Sequence, residues 1–334
     1  MKLTVIIPVY NGKENLPRML ESLEQQSCRE FEVLLVDDGS RDGSADTIRA
    51  YMAGHPEGRM RLTCQENQGA AAARNRGIRE TETPYLMFAD QDDYLAPDYV
   101  ETYLKAMEET QADIVCGGYR RVHPESGKVL RRVRPGEDNW AKFVVVAPWA
   151  HLYRSAFLKE NGLEFLKTAI GEDIYFTLMA YARTDKVATI PYDGYCWVDN
   201  PKSVSNSRQK SMSENADPLV LLNRLWDDLP EGHRLGKEEL EFFLYRYIVW
   251  YLLFTTRRTP KETVAAQYER LTGWLKERCP GFEKNRLISL AGPKGEPFGI
   301  RLSVWGFNLL YRRGLALPVL KMFSAREAKG RAGE

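Results

Sequence analysis

Cysteine is sparse and follows no pairing pattern. Cys28, Cys64, Cys116, Cys196 and Cys279 are scattered through 334 residues with no Cys-x-x-Cys. That excludes a zinc knuckle or a disulfide framework and points to a reducing compartment. The four histidines, His55, His123, His151 and His233, stand in no metal or triad spacing. Long apolar runs are absent: the longest, 247–254, falls far below the ~20 residues that cross a bilayer. Neither sign of charge is in excess, with 47 basic and 46 acidic residues and a net charge of +1. Nothing in the bulk charge therefore suggests a nucleic-acid partner. Local basic clusters exist at Arg120-Arg121 and at Arg131, Arg132 and Arg134; they read as solvated faces or phosphate contacts. The first residues lead into a strand broken at Pro8, unlike a signal peptide. The expectation is a cytoplasmic protein, at the inner face of the membrane or free of it.

Several motifs are missing too. Asn11-Gly12-Lys13-Glu14 stands where a dinucleotide fold needs Gly-x-Gly-x-x-Gly, and there is no P-loop and no Gly-x-Ser-x-Gly elbow. Asp90-Gln91-Asp92 follows the fourth predicted strand, with Tyr94 after it. Aspartyl-phosphate phosphatases carry their Asp-x-Asp after the first.

What is present is organised around Tyr85-Leu-Met-Phe-Ala-Asp-Gln-Asp-Asp-Tyr94. A short apolar run reads as a buried strand, and it stops at three acids. Ligands of open α/β sheets sit outside the carboxyl ends of the strands. Clustered carboxylates there either form a solvated loop or hold a hard cation on a diphosphate. Before this stretch, strands are predicted at 3–9, 31–36 and 60–65. They alternate with helices at 15–26, to about 53 after Asp42-Gly43-Ser44, and at 69–80. A helix from Pro97 to about 110 and a fifth strand over 114–119 follow. The alternation predicts an α/β fold with a mainly parallel sheet and helices on both faces. Its strand ends bring Tyr10, Asp37-Asp38 and the acids from Asp90 to Asp93 to one edge.

Beyond 121 the pattern weakens. An edge strand is expected at 128–133, helix or strand at 140–146, and a short helix after Trp149-Ala-His-Leu-Tyr-Arg154. A helix is expected from Ile174 to 182 and late strands at 187–190 and 195–198. A Ser/Asn/Lys-rich loop or boundary covers 201–213. From 214 onward the chain reads as helical, and 300–323 is apolar, aromatic and basic.

Val5-Ile-Ile-Pro-Val-Tyr-Asn-Gly12, Val36-Asp-Asp-Gly-Ser40, Asn67-Gln-Gly-Ala, Ala73-Arg-Asn75, Asp90-Gln-Asp-Asp93 and Gly171-Glu-Asp173 stand in this order. The set resembles the inverting family-2 glycosyltransferases of bacterial polysaccharide synthesis, with the GT-A fold, over about 2–206. The resemblance implies a GT-A domain at 1–209, with a nucleotide-sugar half at 1–121 and an acceptor half at 122–209; it does not specify the last third, which the residue pattern alone reads as a helical region at 210–334. It implies transfer from a UDP-sugar to a glycan hydroxyl, on a lipid-linked acceptor, with Mg²⁺ or Mn²⁺. Carried over residue by residue, Pro8 and Tyr10 border the base, Asp38 accepts from uracil N3–H, and Asp37 supports that loop. Arg74 and Asn75 lie near the donor sugar and diphosphate. Asp90 and Asp92 form the metal motif. Asp173 is the base, Glu172 sits beside it, and Trp149 and His151 face the acceptor. His151 stands where many relatives carry Lys, and Gln91 where they often carry Ser. Taken singly, each residue also fits a plainer use: Asp38 a turn, Tyr10 and Trp149 packing, Asp173 a helix cap, Arg74 a pair with helix neighbours. Two other classes share some features, a sugar nucleotidyltransferase and a non-catalytic nucleotide-sugar scaffold. The segment 300–323 could lie in a headgroup layer or pack as a helix on the protein.

Overall fold

The computed structural model describes residues 1–55, 58–136, 138–168, 170–200, 211–212 and 217–328. The chain divides into two compact units. One comprises Met1–Glu137, Val144–Asp199 and Leu229–Arg234; the other comprises Asp138–Phe143, Asn200–Asp228 and Leu235–Glu334. The boundary expected at 209–210 and most of the expected loop at 201–213 lie outside the described residues.

The first unit opens with the expected alternation: β1 Leu3–Val9, α1 Leu16–Glu24, β2 Phe31–Asp37, α2 Ser44–Gly54, β3 Met60–Cys64, α3 Ala70–Glu80 and β4 Tyr85–Phe88. It continues through β5 Tyr94–Leu95, α4 Tyr99–Thr110, β6 Ile114–Cys116, β7 Tyr119–Val122 and β8 Val129–Val133; α5 Ala141–Val144 comes next in the chain, its residues up to Phe143 falling in the second unit. β9 His151–Arg154, α6 Ser155–Glu160, α7 Glu172–Tyr181, β10 Val187–Thr189 and β11 Tyr195–Val198 complete the first unit. Seven strands form one sheet in the order β10-β6-β9-β4-β1-β2-β3, and four form another, β5-β11-β7-β8. Val5, Ile6 and Ile7 are fully buried. β1 is covered on both faces, which is why it reads as a continuous apolar run. It pairs in parallel with β2 and β4, so the chain leaves all three strands at one edge. α1 turns Leu16, Met19, Leu20 and Leu23 inward, as their spacing predicts.

Two features depart from the sequence reading. β9 runs antiparallel between β4 and β6; at four residues it is too short to show a period, and 149–154 gave no strand signal. The strand expected over 114–119 is two strands in different sheets. They break at Gly117-Gly118, where a Cβ would meet Tyr103 Oη at 2.2 Å and the Val133 carbonyl oxygen at 1.9 Å. Only glycines pass between the sheets there.

The second unit is helical, with Pro218–Asp227, Lys237–Thr255, Lys261–Arg278, Phe298–Arg312 and Ala316–Ala328. Helix Lys237–Thr255 is enclosed along one stretch, where Phe242, Phe243, Leu244 and Tyr245 are each 1% exposed. Glu296, also buried, accepts from the Trp140 indole N–H at 2.8 Å and from Arg246 at 2.9 Å, so its charge is compensated. The segment 300–323 is not one stretch but two helices separated by Gly314, whose φ is 71°. No helix among the described residues is long and apolar enough to cross a membrane.

Candidate active site

The site is built where β1, β2 and β4 end and where α7 begins. Gly171, at φ 79°, turns the chain into α7 and places Glu172 and Asp173 in its first turn. Acids there meet the positive end of the helix dipole. Arg74, on α3, is 4% exposed. Its Nη2 donates to Asp90 Oδ1 at 2.8 Å and its Nη1 to Asp173 Oδ1 at 3.1 Å, with Glu172 at 4.0 Å. One guanidinium thus gathers acids from the end of β4 and the start of α7, and the excess charge is negative. Loss of water, with Glu172 and Asp90 nearby, pushes the Asp173 carboxyl up to about 7 against the pull of Arg74.

The other motif acids divide their work. Asp93 turns inward, 1% exposed. Its Oδ1 accepts from Val198 N–H at 2.8 Å and its Oδ2 from the Tyr195 hydroxyl at 2.7 Å. The same hydroxyl accepts from Asp90 N–H at 3.0 Å. Burial, then the charges of Asp92 and Asp90, raise the Asp93 pKa well above the carboxylate range. Asp93 and Tyr195 therefore hold the loop that presents Asp90 and Asp92, and Arg18 holds the Asp92 carbonyl from α1. No three His, Cys, Asp or Glu side chains converge as a metal cage among the described residues. Asp90 and Asp92 fit the alternative, in which a small hard cation takes one or two carboxylates and completes its shell with phosphates. The net negative charge around Arg74 is compatible with that role.

Tyr10, 46% exposed, follows β1, and Pro8 is half-buried within it. The side-chain amide of Gln91 grips Tyr10 by both backbone groups, accepting from its N–H and donating to its carbonyl, each at 3.0 Å. The motif between the acids is thereby tied to the tip of β1. Asp38 is 2% exposed. Its oxygens accept from Gln65 Nε2 at 2.8 Å, Gln68 N–H at 2.9 Å and Gly69 N–H at 2.7 Å, so it organises the turn into α3. Asp37 Oδ2 accepts from Ser40 N–H, and its Oδ1 is buried with no partner among the described residues.

Three expected site residues are engaged elsewhere. Asn75 binds both backbone groups of Phe165, at 2.6 and 2.9 Å, and so anchors the segment whose ring lies beneath Arg74. Trp149 is 7% exposed and stacks on Tyr195 with centroids 4.2 Å apart; it backs the loop from within the core. His151 is fully buried: Nδ1 donates to the Ala147 carbonyl, so Nε2 accepts from the Tyr181 hydroxyl at 2.5 Å. Burial lowers its pKa to about 4, and the ring is neutral. The expected acceptor-facing position of His151 is not where the structure puts it, because the ring belongs to the packed strand β9. Sequence reasoning overlooked Tyr195 and the grip of Gln91; no spacing signal links them to partners 105 and 81 residues away.

The sequence model of Glycosyl transferase family 2 matches residues 4–171. The glycosyltransferase GlyA of Streptococcus pneumoniae serotype 4 is 32% identical over 204 residues, 56% of this chain and 29% of GlyA. The poly(ribitol-phosphate) beta-glucosyltransferase of Bacillus spizizenii is 29% identical over 206 residues, 58% of this chain and 32% of that protein. The chain thus spans about a third of the length of these two relatives. The crystal structure of S. aureus TarS 1–349 in complex with UDP-GlcNAc aligns with a TM-score of 0.71 at 20% identity, over 99% of this chain and 92% of that one. That likeness establishes a shared α/β fold.

Proposed function

The chain belongs to glycosyl transferase family 2 and is a glycosyltransferase, and from that premise we propose an inverting transfer from a UDP-sugar to a hydroxyl of a glycan acceptor. The product would extend a bacterial surface polymer, on a lipid-linked acceptor at the inner face of the membrane. The observation that carries this reading is the Arg74 junction, which joins Asp90 of the strand-end motif to Asp173 of α7.

Asp173 is the base in this reading. Its raised pKa suits proton removal from an attacking hydroxyl near neutral pH. Arg74 orients it and keeps Asp90 from repelling it. Glu172, beside it, sets the local field. The exposed Tyr10 ring offers a face for the uracil base, which Pro8 and Asp38 would border while Asp37 supports that loop. Asp90 and Asp92 would hold Mg²⁺ or Mn²⁺, which when bound supplies charge stabilisation to the leaving diphosphate. A single in-line displacement inverts the anomeric centre and needs no covalent sugar–enzyme bond. The catalytic domain in this reading is 1–209. The known UDP-GlcNAc complex of the structural neighbour supports a uridine donor.

Asp173→Asn tests the assignment. Turnover should fall by about 10²–10⁴-fold while UDP binding survives. In the parent enzyme kcat/KM should rise with pH through about 7, because only the ionised carboxylate accepts a proton. Unchanged turnover in the variant would remove Asp173 as base.

A further inference from the structure

The hairpin β7–β8 carries more charge than the fold and the donor site account for. Residues 119–136 hold Arg120, Arg121, Lys128, Arg131, Arg132 and Arg134 against one acid, Glu125, in a chain of net charge +1. The register sets Arg120 opposite Arg132 and Arg121 opposite Arg131. Like charges directly opposite each other destabilise an antiparallel pair. On one face the conflict is relieved internally: Asp193, 2% exposed, takes Arg120, Arg132 and Arg134 at 2.9–3.3 Å.

The other face is different. Trp197 of β11 lies beside Arg121 of β7, and Arg121 lies opposite Arg131 of β8, so the three form one row across the sheet. Arg121 sits 5.0 Å above the Trp197 ring and is braced by Asp199 at 2.6 Å, which fixes its guanidinium in place. Arg131 is exposed. The row starts on β11, the strand that also holds the acid loop. Trp197 stands between Tyr195, whose hydroxyl holds Asp90 N–H, and Val198, whose N–H binds Asp93.

We propose that the Trp197–Arg121–Arg131 row is the acceptor-docking surface, and that the acceptor is a glycan chain carrying phosphodiesters. This rests on the glycosyltransferase reading above. A braced guanidinium is a preorganised fork for phosphate. Two guanidiniums set opposite each other are relieved by successive anions on one chain, which a phosphodiester polymer supplies. Asp199 already braces Arg121, and a neutral glycan would bring no counter-charge to Arg131.

A labelled poly(glycerol phosphate) oligomer is the probe, titrated into the full chain at increasing salt beside a neutral dextran oligomer and an oligogalacturonate. The expected result is binding of the phosphodiester oligomer that weakens with salt, with dextran at least tenfold weaker. Arg131→Glu should lose about tenfold or more of that affinity and Arg131→Lys should retain most of it, with the melting temperature and UDP affinity of both as in the parent. Parent-like affinity in Arg131→Glu, or dextran bound as well as the charged oligomer, overturns the proposal. Preference for oligogalacturonate overturns the phosphodiester assignment. UDP titration of the same preparation reports separately on the donor site, so its failure would strike the underlying reading and not the hairpin.

Discussion

Gln91 and Gly12 form a coupled pair that a list of motif acids passes over. A Cβ on Gly12 would stand 2.0 Å from Gln91 Oε1, so alanine there must evict the amide from its grip on Tyr10. Each hydrogen bond to the Tyr10 backbone is worth about 1 kcal/mol net. Gly12→Ala and Gln91→Ala should each weaken UDP binding by about tenfold through loss of the ordered Tyr10 platform. In the double variant the alanine finds room, so the loss should match either single change and not their product. A double-mutant cycle in UDP affinity checks this; multiplicative losses would show that the two residues act apart. Arg74 belongs to the same scale. Buried among three acids, it is legible in Ala73-Arg-Asn75 as a site residue, but which acids it joins is not.

Helix Phe298–Arg312 is an element with two apolar sides. Val304 and Phe307 are buried, while Phe298, Leu302, Trp305 and Leu309 are 58, 45, 37 and 36% exposed along one stripe. Between 298 and 323 there is no acid, and Arg301, Arg312, Arg313 and Lys321 supply four bases. An apolar stripe edged by bases suits the headgroup layer of an anionic bilayer, and such contact is what the proposed transfer to a lipid-linked acceptor requires. Flotation with vesicles containing phosphatidylglycerol should carry the protein up, and Leu302→Glu with Trp305→Glu should reduce the bound fraction by about tenfold without unfolding it. Equal flotation of parent and variant would leave the stripe without that role. At this scale the pattern of 300–323 conveyed aromatic and basic character, and the break at Gly314 emerged only in the fold.

For the whole molecule, the donor pocket is the property to measure. Calorimetric titration with UDP and GDP, each with and without Mn²⁺, should show UDP bound more tightly than GDP. Metal should strengthen it by about tenfold or more, and Asp92→Ala should abolish that gain. A preference for GDP would overturn the uridine donor, and metal-independent binding would overturn the role of Asp90 and Asp92.

Period and composition determined the strands β1 to β4, the helices between them and the acids at their ends, because burial on both faces forces continuous apolar runs that stop where the chain meets water. The ordered motif set added the family. The tertiary structure decided which of those polar groups face a substrate. Asp93, Asn75 and Trp149 read as site residues or their neighbours, yet they brace the loops from inside. Asp173 meets Arg74 across 99 residues and Tyr195 meets Asp90 across 105. Such pairings are fixed by sheet order and by the entry of β9 between β4 and β6. Side-chain hydrogen bonds between distant strands leave no period in a sequence, because their geometry is set by packing and not by neighbours along the chain.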